Sequence, residues 1–428
     1  MTFSDSGAGF SLAAPTLSTP ALAGEVGPRT LRAGFIPLVD ASVLIAAAEF
    51  GFAAREGLQL ELVKDVSWAN IRDRLAFRQF DVAHMLSPMP VASMLGLGSN
   101  PSPTITPFSL GRGGNAITLS VRLFARMEQT GLTGPGEDAL ANARALAAVL
   151  AEMRARDEAV PTFGVTYPFS SHNYEMRYWL AAGGINPDRD VKLVVVPPPL
   201  TSDALAAGAI DGFCVGAPWN MVASERGVGR IVAAKQDIWP SAPEKVIGLR
   251  PDFAEAHRER VLSLLLALDR AASWCDDRAN HADLAEVLSQ PRYLAAPAEL
   301  LRHVLSGEFS LDDRGSRRTI PDYMVFHDRH AGYPRPSQAL WIYSQMIRWG
   351  QTPFSHAGLE AALSAYRPDL YRAALGEAAP DPAHDLQAEG REAGDRFMDG
   401  HVFDPADIPA YVAGFPVRAD TGSVLEDD

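Results

Sequence analysis

The chain has 428 residues, which is more than one hydrophobic core ordinarily serves, so two lobes are expected. Its formal net charge of −14 disfavours binding to nucleic acid or to an anionic membrane surface. A site for an anion must therefore be built locally, against the charge of the whole molecule.

The N-terminal segment and the cysteines both indicate a cytoplasmic protein. Residues 1–30 contain no Lys or Arg before Arg29, and Ser, Thr and Pro interrupt every apolar run. A signal peptide needs a basic start and a continuous apolar stretch, so we interpret this segment as a flexible leader. Cys214 and Cys275 lie far apart in apolar contexts, which is typical of small core residues in a reducing compartment. No run approaches the roughly 18 apolar residues of a membrane span, so no membrane association is expected.

From Leu31 onward the chain alternates short apolar strands with helices. The predicted elements are a strand at 31–36, a helix at 41–52, a strand at 58–63, a helix at 68–77, a strand at 81–86 and a helix after Pro88. A βαβαβ series of this kind predicts a parallel sheet with helices on both faces.

The same series recurs further along the chain, which predicts two lobes built on one plan. Its strands are predicted at 162–167, 191–196 and 211–216, with a helix after each of the first two. The number of residues from Gly34 to Asp81 equals the number from Gly164 to Asp211. Matches of this kind indicate an internal duplication.

Two strands are predicted to pass between the lobes. The segment 115–124 is expected to cross from the first lobe to the second, and 243–253 is expected to return. Helical segments are predicted at 127–160 and 257–277. The expected domains are a flexible leader (1–30), a discontinuous lobe 1 (31–118 plus 246–375), lobe 2 (119–245) and an acidic C-terminal tail (376–428), loosely ordered to about 398 and partly docked on the body.

Four side chains that carry N–H groups map to one edge of these sheets. Ligands of open α/β sheets bind beyond the carboxyl ends of the strands, and two facing lobes make a cleft there. The four are Trp68 at the start of a helix, Asn115 after a glycine-rich turn, His172 after the first strand of lobe 2 and Lys245 in the returning strand. Taken singly, each has a plainer interpretation: an anchoring aromatic, a turn residue, a local cap or solvated side chain, and a solvated lysine. Their convergence on one cleft indicates a site.

His172 differs from the other three because it falls in the first turn of a helix. Ser170 and Ser171 are residues of the helix-capping type, and apolar positions with helical spacing follow until Gly183 and Gly184. The positive end of a helix dipole disfavours a cation and favours an anion. We therefore expect His172 to share this helix end with a bound anion.

The chemistry of the four side chains favours a small planar oxyanion. Lys245 offers three N–H donors, Asn115 two, Trp68 one and His172 one or two. We expect no carboxylate to join them. Bicarbonate suits such a set less well, because its hydroxyl group would need an acceptor.

The sequence contains no grouping that is typical of catalysis. Neither a P-loop nor GxGxxG, GxSxG, HExxH or CxxC occurs, and Ser171 beside His172 does not make a triad. We therefore expect no enzymatic activity, no metal ion and no cofactor. An enzyme on the same fold stays an alternative of a third class.

Seven segments together resemble the nitrate-binding family of two-lobed solute-binding proteins, the NrtA/CmpA/NasS group. They span most of 31–250 and are LRAGFIPLVDASVLIAAAEFGF, SWANIRD, DVAHMLSPMP, GNAITLS, HNYEMRYWLAAGGINPD, DGFCVGAPWN and PEKVIG. The resemblance implies an α/β protein with the type II periplasmic-binding-protein fold, whose two lobes hold the anion in the cleft between them.

The resemblance also implies the ligand and its contacts. The family's nitrate-contacting positions fall on Trp68, Asn115, His172 and Lys245, with Gly111 as a further position. Bicarbonate-binding relatives replace the histidine and the lysine with other types, including a carboxylate. Because both remain in this chain, the resemblance favours nitrate or nitrite.

Two departures from the transporter-type members favour a regulatory role. Those members usually have glutamine where this chain has Asn115, and they are exported and often lipid-anchored. The resemblance then implies a cytoplasmic nitrate/nitrite sensor similar to NasS, which sequesters a NasT-type RNA-binding antiterminator and releases it when the anion binds. Such a sensor controls nitrate-assimilation genes without contacting nucleic acid itself. The alternative is the nitrate-binding subunit of an ABC importer.

Overall fold

Ten strands form two five-stranded sheets within residues 29–100, 102–132 and 138–419, which are the residues that this computed structural model describes. In chain order the strands are β1 (Arg29–Phe35), β2 (Leu58–Lys64), β3 (Val82–Leu86), β4 (Ile105–Ser109), β5 (Asn115–Ser120), β6 (Thr162–Val165), β7 (Lys192–Val195), β8 (Gly212–Gly216), β9 (Gly229–Ala234) and β10 (Lys245–Leu249). Sheet 1 has the order β2-β1-β3-β10-β4, and sheet 2 has the order β7-β6-β8-β5-β9. Most of the predicted leader, and the last nine residues of the predicted tail, lie outside the described ranges.

Helices connect these strands and build the C-terminal part of the chain. They are α1 (Ser42–Glu49), α2 (Phe52–Arg55), α3 (Trp68–Ala76), α4 (Pro88–Met94), α5 (Val121–Gln129), α6 (Ala139–Ala155), α7 (Ser171–Ala182), α8 (Thr201–Ala206), α9 (Trp219–Glu225), α10 (Lys235–Ile238), α11 (Pro251–Ala256), α12 (Arg258–Asp276), α13 (His281–Ser289), α14 (Ala298–Ser306), α15 (Pro336–Arg348), α16 (His356–Ala365), α17 (Pro368–Leu375) and α18 (Ile408–Ala413). None of these described helices combines the length and the apolar character that crossing a bilayer requires.

The two sheets share one plan, as the spacing of the sequence predicts. In each sheet three parallel strands lie in the order second, first, third, and the next strand in the sheet is antiparallel to them. Asp81 Oδ2 accepts a hydrogen bond from the backbone N–H of Arg32 at 3.0 Å, and Asp211 Oδ2 accepts one from Thr162 at 3.0 Å. Each bond joins residues 49 positions apart, so the predicted internal duplication is confirmed.

The antiparallel strand of each sheet is a crossing strand, which confirms the two predicted passages. β5 follows β4 of sheet 1 but pairs in sheet 2, and β10 follows β9 of sheet 2 but pairs in sheet 1. Lys245 lies opposite Leu86 at the end of β3, and Asn115 lies opposite Gly216 at the end of β8. Because the crossing strands run antiparallel, their first residues lie at the carboxyl edges of the parallel strands. The fold therefore brings both residues to the edges where ligands bind.

The first crossing strand is shorter than predicted. We expected the strand to continue through Phe124, but β5 ends at Ser120 and α5 begins at Val121. The Ser120 hydroxyl accepts a hydrogen bond from the backbone N–H of Leu123 at 3.2 Å, so it caps the helix. The apolar run over 121–127 has helical spacing, because Leu123 and Met127 are both buried.

The C-terminal segment is more ordered than its composition predicts. Residues 376–398 were expected to be loosely ordered, but Phe397 and Glu389 are both 2% exposed. The Phe397 ring stacks on Trp239 with the ring centroids 4.5 Å apart. Beyond it, Phe403 and Tyr411 of the following stretch are also buried. The segment therefore contributes to the core around sheet 2.

Replacing Phe397 with Ala should lower the free energy of unfolding by about 3–5 kcal/mol, because a fully buried aromatic ring is lost. The matched control is Leu386→Ala in the same segment, whose side chain is 54% exposed. That variant should stay within about 0.5 kcal/mol of the parent. Equilibrium denaturation in urea measures both changes, and equal stabilities for the two variants would show that the segment does not pack as described.

Candidate functional site

The four side chains predicted from the sequence lie buried around one carboxylate, that of Glu244. Asn115, His172 and Lys245 are 0% exposed and Trp68 is 2% exposed. Lys245 Nζ lies 5.8 Å from the centroid of the Trp68 ring, and His172 Nε2 lies 3.7 Å from Glu244 Oε1. Lys245 Nζ and Asn115 Nδ2 both donate hydrogen bonds to the Glu244 carboxylate. The plainer interpretations of Lys245 and His172 as solvated side chains are therefore wrong.

The fifth predicted residue, Gly111, is placed differently. Its φ of +128° lies in the region that favours glycine. A Cβ atom at this position would lie 2.6 Å from the carbonyl oxygen of Val325 and 3.3 Å from Cα of Phe326. The described contacts of Gly111 therefore explain the need for glycine by the close approach of another backbone segment.

His172 occupies the first turn of α7, as the sequence predicts. The Ser170 hydroxyl caps the helix by accepting a hydrogen bond from the backbone N–H of Asn173 at 3.0 Å. Nδ1 of His172 lies 2.8 Å from the Thr166 hydroxyl. Burial, with a smaller contribution from Lys245, lowers the pKa of His172 to about 3. The ring is therefore neutral at physiological pH, which removes the conflict with the helix dipole.

The expectation that no carboxylate joins these side chains is wrong. Asp40, Glu175 and Glu244 are all buried in the same cluster, at 4%, 2% and 1% exposure. A second ammonium group, that of Lys235, is buried with them. Together with five residues already named or adjoining them, these four form what we call the central cluster. Its nine members are Asp40, Trp68, His84, Asn115, His172, Glu175, Lys235, Glu244 and Lys245.

On the sheet 1 side of the central cluster, Asp40 joins Lys245 to His84. Asp40 Oδ2 lies 2.7 Å from Lys245 Nζ, and Oδ1 lies 3.0 Å from His84 Nε2. The other ring nitrogen of His84 accepts a hydrogen bond from the backbone N–H of Ile36 at 3.3 Å. This bond fixes the tautomer, so the neutral ring carries its proton on Nε2 and directs it at Asp40.

On the sheet 2 side, Glu175 and Glu244 share the side chains of Lys235 and Asn115. Lys235 Nζ lies 2.9 Å from Glu175 Oε1 and also contacts Glu244 Oε2. Asn115 Nδ2 donates to Glu175 Oε2 at 2.9 Å and to Glu244 Oε2 at 2.6 Å. Both amide hydrogens of Asn115 are thus committed to carboxylates, and its carbonyl oxygen faces Gly216. We had counted Asn115 as a donor of two N–H groups to a ligand, and that count is wrong.

The pKa shifts follow from burial and pairing. Burial works to raise the pKa of Asp40 and Glu244, but the ammonium groups outweigh it and both pKa values are lowered. Burial works to lower the pKa of Lys245, but attraction to Asp40 and Glu244 outweighs it and the pKa is raised. These three groups are therefore charged at neutral pH. For Glu175 burial prevails over attraction to Lys235, and its pKa is raised.

Apart from His84, whose Nε2 lies 3.0 Å from Asp40, two buried ring nitrogens of the central cluster have no hydrogen-bond partner among the described residues. They are Trp68 Nε1 and His172 Nε2, and the carbonyl oxygen of Asn115 also lacks a donor there. Buried polar atoms are nearly always paired, so these atoms make the place between them a candidate ligand site. The two lobes also touch through Arg72 of α3, which donates a hydrogen bond to the Tyr167 hydroxyl at 2.6 Å.

The central cluster is suited to binding and not to nucleophilic chemistry. The Ser171 hydroxyl donates to Glu244 at 3.0 Å and not to the neighbouring imidazole. Burial raises the pKa of the Cys214 thiol, which keeps it protonated. In the described ranges no group of three or more His, Cys, Asp or Glu side chains is arranged to hold a metal ion.

Five members of the central cluster were not among the predicted site residues, and four of them had a signal. His84 lies in the predicted strand 81–86, which ends at the same edge. Asp40 follows the first strand of sheet 1, at the edge where ligands bind. Glu175 lies one helical turn after His172 and so shares its face of α7. Glu244 directly precedes Lys245. Lys235 had no comparable signal, because it lies on the four-residue helix α10, which the pattern did not predict.

The fold and the enclosed polar site define a two-lobed binding protein of the periplasmic-binding-protein class. A family model described as the NMT1-like family matches residues 24–289. The chain therefore belongs to the NMT1-like family.

Named relatives and a solved structure agree with this assignment. The nitrate/nitrite binding protein NrtA of Synechococcus elongatus is 33% identical over 415 residues, which is 94% of this chain and 90% of that protein. The crystal structure of the periplasmic nitrate-binding protein NrtA from Synechocystis PCC 6803 superimposes with a TM-score of 0.79 at 29% identity, covering 91% of this chain and 98% of that one.

Two further relatives are longer proteins. The nitrate import ATP-binding protein NrtC of Synechocystis is 35% identical over 91% of this chain, and the bicarbonate transport ATP-binding protein CmpC of Synechococcus elongatus is 34% identical over 91%. The chain spans only 56% and 55% of their lengths. Sequence identity alone does not separate relatives named for nitrate from those named for bicarbonate.

Replacing Lys245 with Met should lower the free energy of unfolding by about 3–5 kcal/mol, because Asp40 and Glu244 lose a buried counter-charge. Adding Asp40→Asn to that variant should restore part of the loss, because Asp40 is the carboxylate left without an ammonium partner, whereas Glu244 keeps Lys235. The control is Lys192→Met at an exposed position, which should change stability by less than about 0.5 kcal/mol. Thermal and urea unfolding measure all three, and a Lys245 variant as stable as the control would contradict the described ion pairs.

Proposed function

We propose that the chain binds one small planar oxyanion, nitrate or nitrite, between its two sheets. The observation that carries the proposal is the pair of buried ring nitrogens without a hydrogen-bond partner among the described residues, Trp68 Nε1 and His172 Nε2, beside the Lys245 ammonium; Nε2 is an N–H donor in the tautomer whose Nδ1 accepts from Thr166. Nitrate accepts hydrogen bonds and donates none, so these three groups suit it. The naming of NrtA relatives for nitrate and nitrite supports the same ligand.

The donors are positioned before the ligand arrives, which favours affinity. Trp68 and His172 are already removed from water, so binding adds hydrogen bonds without a new desolvation cost for them. Hydrogen bonds to a charged partner contribute about 1.5–3 kcal/mol each. Three of them approach the roughly 8 kcal/mol of a micromolar site. When the Thr166 hydroxyl donates to Nδ1, the proton of the neutral His172 ring lies on Nε2 and is available to the anion.

Bicarbonate is a second candidate, and one specific observation favours it. The Asn115 carbonyl oxygen has no donor among the described residues, so it offers the acceptor that the hydroxyl of bicarbonate needs. The amide orientation is fixed because Nδ2 donates to two carboxylates. We had disfavoured bicarbonate because its hydroxyl group would lack an acceptor. The Asn115 carbonyl oxygen removes that objection.

Titration calorimetry of the full chain with nitrate, nitrite and bicarbonate tests the ligand. We expect one site for nitrate or nitrite. Trp68→Phe should weaken binding about 10- to 100-fold, because it removes the N–H group and keeps most of the ring. The control is Trp274→Phe, whose ring packs on Phe50 outside the central cluster and whose affinity should match the parent.

Two results would contradict the proposed ligand. If titration with bicarbonate gives a heat of binding and titration with nitrate or nitrite gives none, the site is assigned to bicarbonate. Equal affinities in Trp68→Phe and Trp274→Phe would show that the indole N–H does not contact the anion.

The proposed biological role is a cytoplasmic sensor of the anion. In this role the chain holds a NasT-type antiterminator protein while empty and releases it when the anion binds between the sheets. Asn115 supports the sensor, because the transporter-type proteins of the resembling group usually have glutamine there. The named relatives support the other role equally, that of a binding subunit of an ABC importer.

Size-exclusion chromatography separates the two roles. The probe is a purified protein that joins a receiver domain to RNA-binding helices, encoded beside the chain's own gene. We expect a complex that dissociates when nitrate is added, because in this proposal anion binding changes the position of one sheet relative to the other. Trp68→Phe is the matched variant, and its complex should need about 10- to 100-fold more nitrate. No complex without anion, together with export of the chain in a fractionation experiment, would favour the importer.

A further inference from the structure

The central cluster has more carboxyl groups than ammonium groups. Asp40, Glu175 and Glu244 are opposed by Lys235 and Lys245, and the side chains of all five are at most 5% exposed. The two histidines are neutral, because burial is the largest cause that lowers the pKa of each. With all three carboxylates ionised, the enclosed charge is −1 before any anion enters. An added monovalent anion would make it −2, which burial strongly disfavours.

The three carboxyl groups are not equally held in their ionised form. Glu244 accepts hydrogen bonds from four side chains: Ser171, Asn115, Lys235 and Lys245. Asp40 lies against Lys245 and His84. Glu175 accepts a hydrogen bond from Asn115 at 2.9 Å and from the weak Cys214 thiol donor at 3.8 Å. Its other oxygen lies near Lys235, which Glu244 shares.

In the part of the chain that the structure describes, Lys235 is the positive charge that compensates Glu175, and no second cation is recorded against it. The charged and titratable groups that face it are Lys235 of α10, Glu244 before β10, Cys214 of β8 and Tyr323. Its own helix adds His172 one turn before and Tyr178 one turn after. Behind it, Trp239, Trp341 and Phe397 line a cavity of about 10 Å³, so this wall is aromatic.

We propose that Glu175 takes up one proton from solvent when the anion binds, so that the protein binds its anion together with a proton. The inference rests on the proposed oxyanion site. The proton adds to one carboxylate oxygen of Glu175, and no other bond forms or breaks. Lys235 is then balanced by Glu244 and Lys245 by Asp40, so the cluster is neutral before it receives the negative charge.

The direction of the pKa shifts agrees with this assignment. Burial raises the pKa of Glu175, whereas the ammonium groups lower the pKa values of Glu244 and Asp40 against burial. A bound anion adds negative charge near Glu175 and raises its pKa further. Proton uptake therefore occurs at pH values between the pKa of Glu175 in the free protein and its higher pKa in the complex.

Calorimetry in buffers of different ionisation enthalpy measures the coupled proton directly. Nitrate is titrated into the full chain from pH 6 to pH 9. At pH values between the pKa of Glu175 in the free protein and its pKa in the complex, we expect uptake that approaches one proton. The affinity should fall there as the pH rises, by up to tenfold per pH unit. The sign follows from the raised pKa: the protonated form binds the anion, and deprotonation weakens binding.

Glu175→Gln isolates the group, because the amide is neutral and close in shape to a protonated carboxyl. This variant should bind nitrate without proton uptake, and its affinity should not depend on pH between 6 and 9. The matched control is Glu286→Gln at an exposed position of α13, which should keep the behaviour of the parent. As a readout without a variant, nitrate-induced infrared difference spectra should gain the carbonyl stretch of a protonated carboxylic acid.

The outcomes separate this inference from the proposed function. Nitrate binding with no proton uptake at any pH, and no new carboxylic acid band, would overturn the inference and leave the anion site standing. Proton uptake that persists in Glu175→Gln would assign the proton to another group, such as His172, and would also overturn it. No binding of nitrate, nitrite or bicarbonate would overturn both.

Discussion

Burying Lys245 requires negative partners on both of its sides, and the rest of the site is arranged around that requirement. The ammonium group is 0% exposed, and it contacts Asp40 from sheet 1 and Glu244 directly before its own strand. Each carboxylate then needs further donors of its own, because a buried charge is costly unless it is paired and hydrogen-bonded. Asp40 contacts His84, and Glu244 is held by Lys235, Asn115 and Ser171. One buried cation thus organises polar side chains from both sheets.

The internal duplication supplies the frame but not the chemistry. Asp81 and Asp211 occupy equivalent positions and make equivalent bonds to the first strand of their sheets. The crossing strands are also equivalent, and each places its first residue opposite the end of the third strand. Those two first residues are nevertheless unlike: one is Lys245 and the other is Asn115. The two sheets are alike, but the side chains that they place at the site differ. Lys245 donates hydrogen bonds, whereas the carbonyl oxygen of Asn115 accepts them.

The strand pattern predicted much of the frame, because parallel strands have a regular apolar signature and the spacing repeats. The edges where Trp68, Asn115, His172 and Lys245 lie followed from the same pattern. What the pattern did not contain was the direction of each side chain within the cluster. The two amide hydrogens of Asn115 are directed at Glu175 and Glu244, and this orientation depends on three elements that are distant in the chain. Lys235 was missed for a related reason, since a four-residue helix leaves no periodic signal.

NrtC, which is named for nitrate, and CmpC, which is named for bicarbonate, are similarly identical to this chain, so sequence identity does not indicate which anion the central cluster suits. Under the proposed function, a few atoms of the central cluster would discriminate between the two anions. Trp68 Nε1 donates only, and the carbonyl oxygen of Asn115 accepts only, so the two atoms favour different oxyanions. The carboxylates set a second condition, because they fix how much negative charge the enclosed space accepts. In the proposed site, hydrogen-bond polarity and net charge would therefore act separately on the choice of ligand. The first depends on Trp68 and Asn115, and the second depends on the balance of carboxyl and ammonium groups.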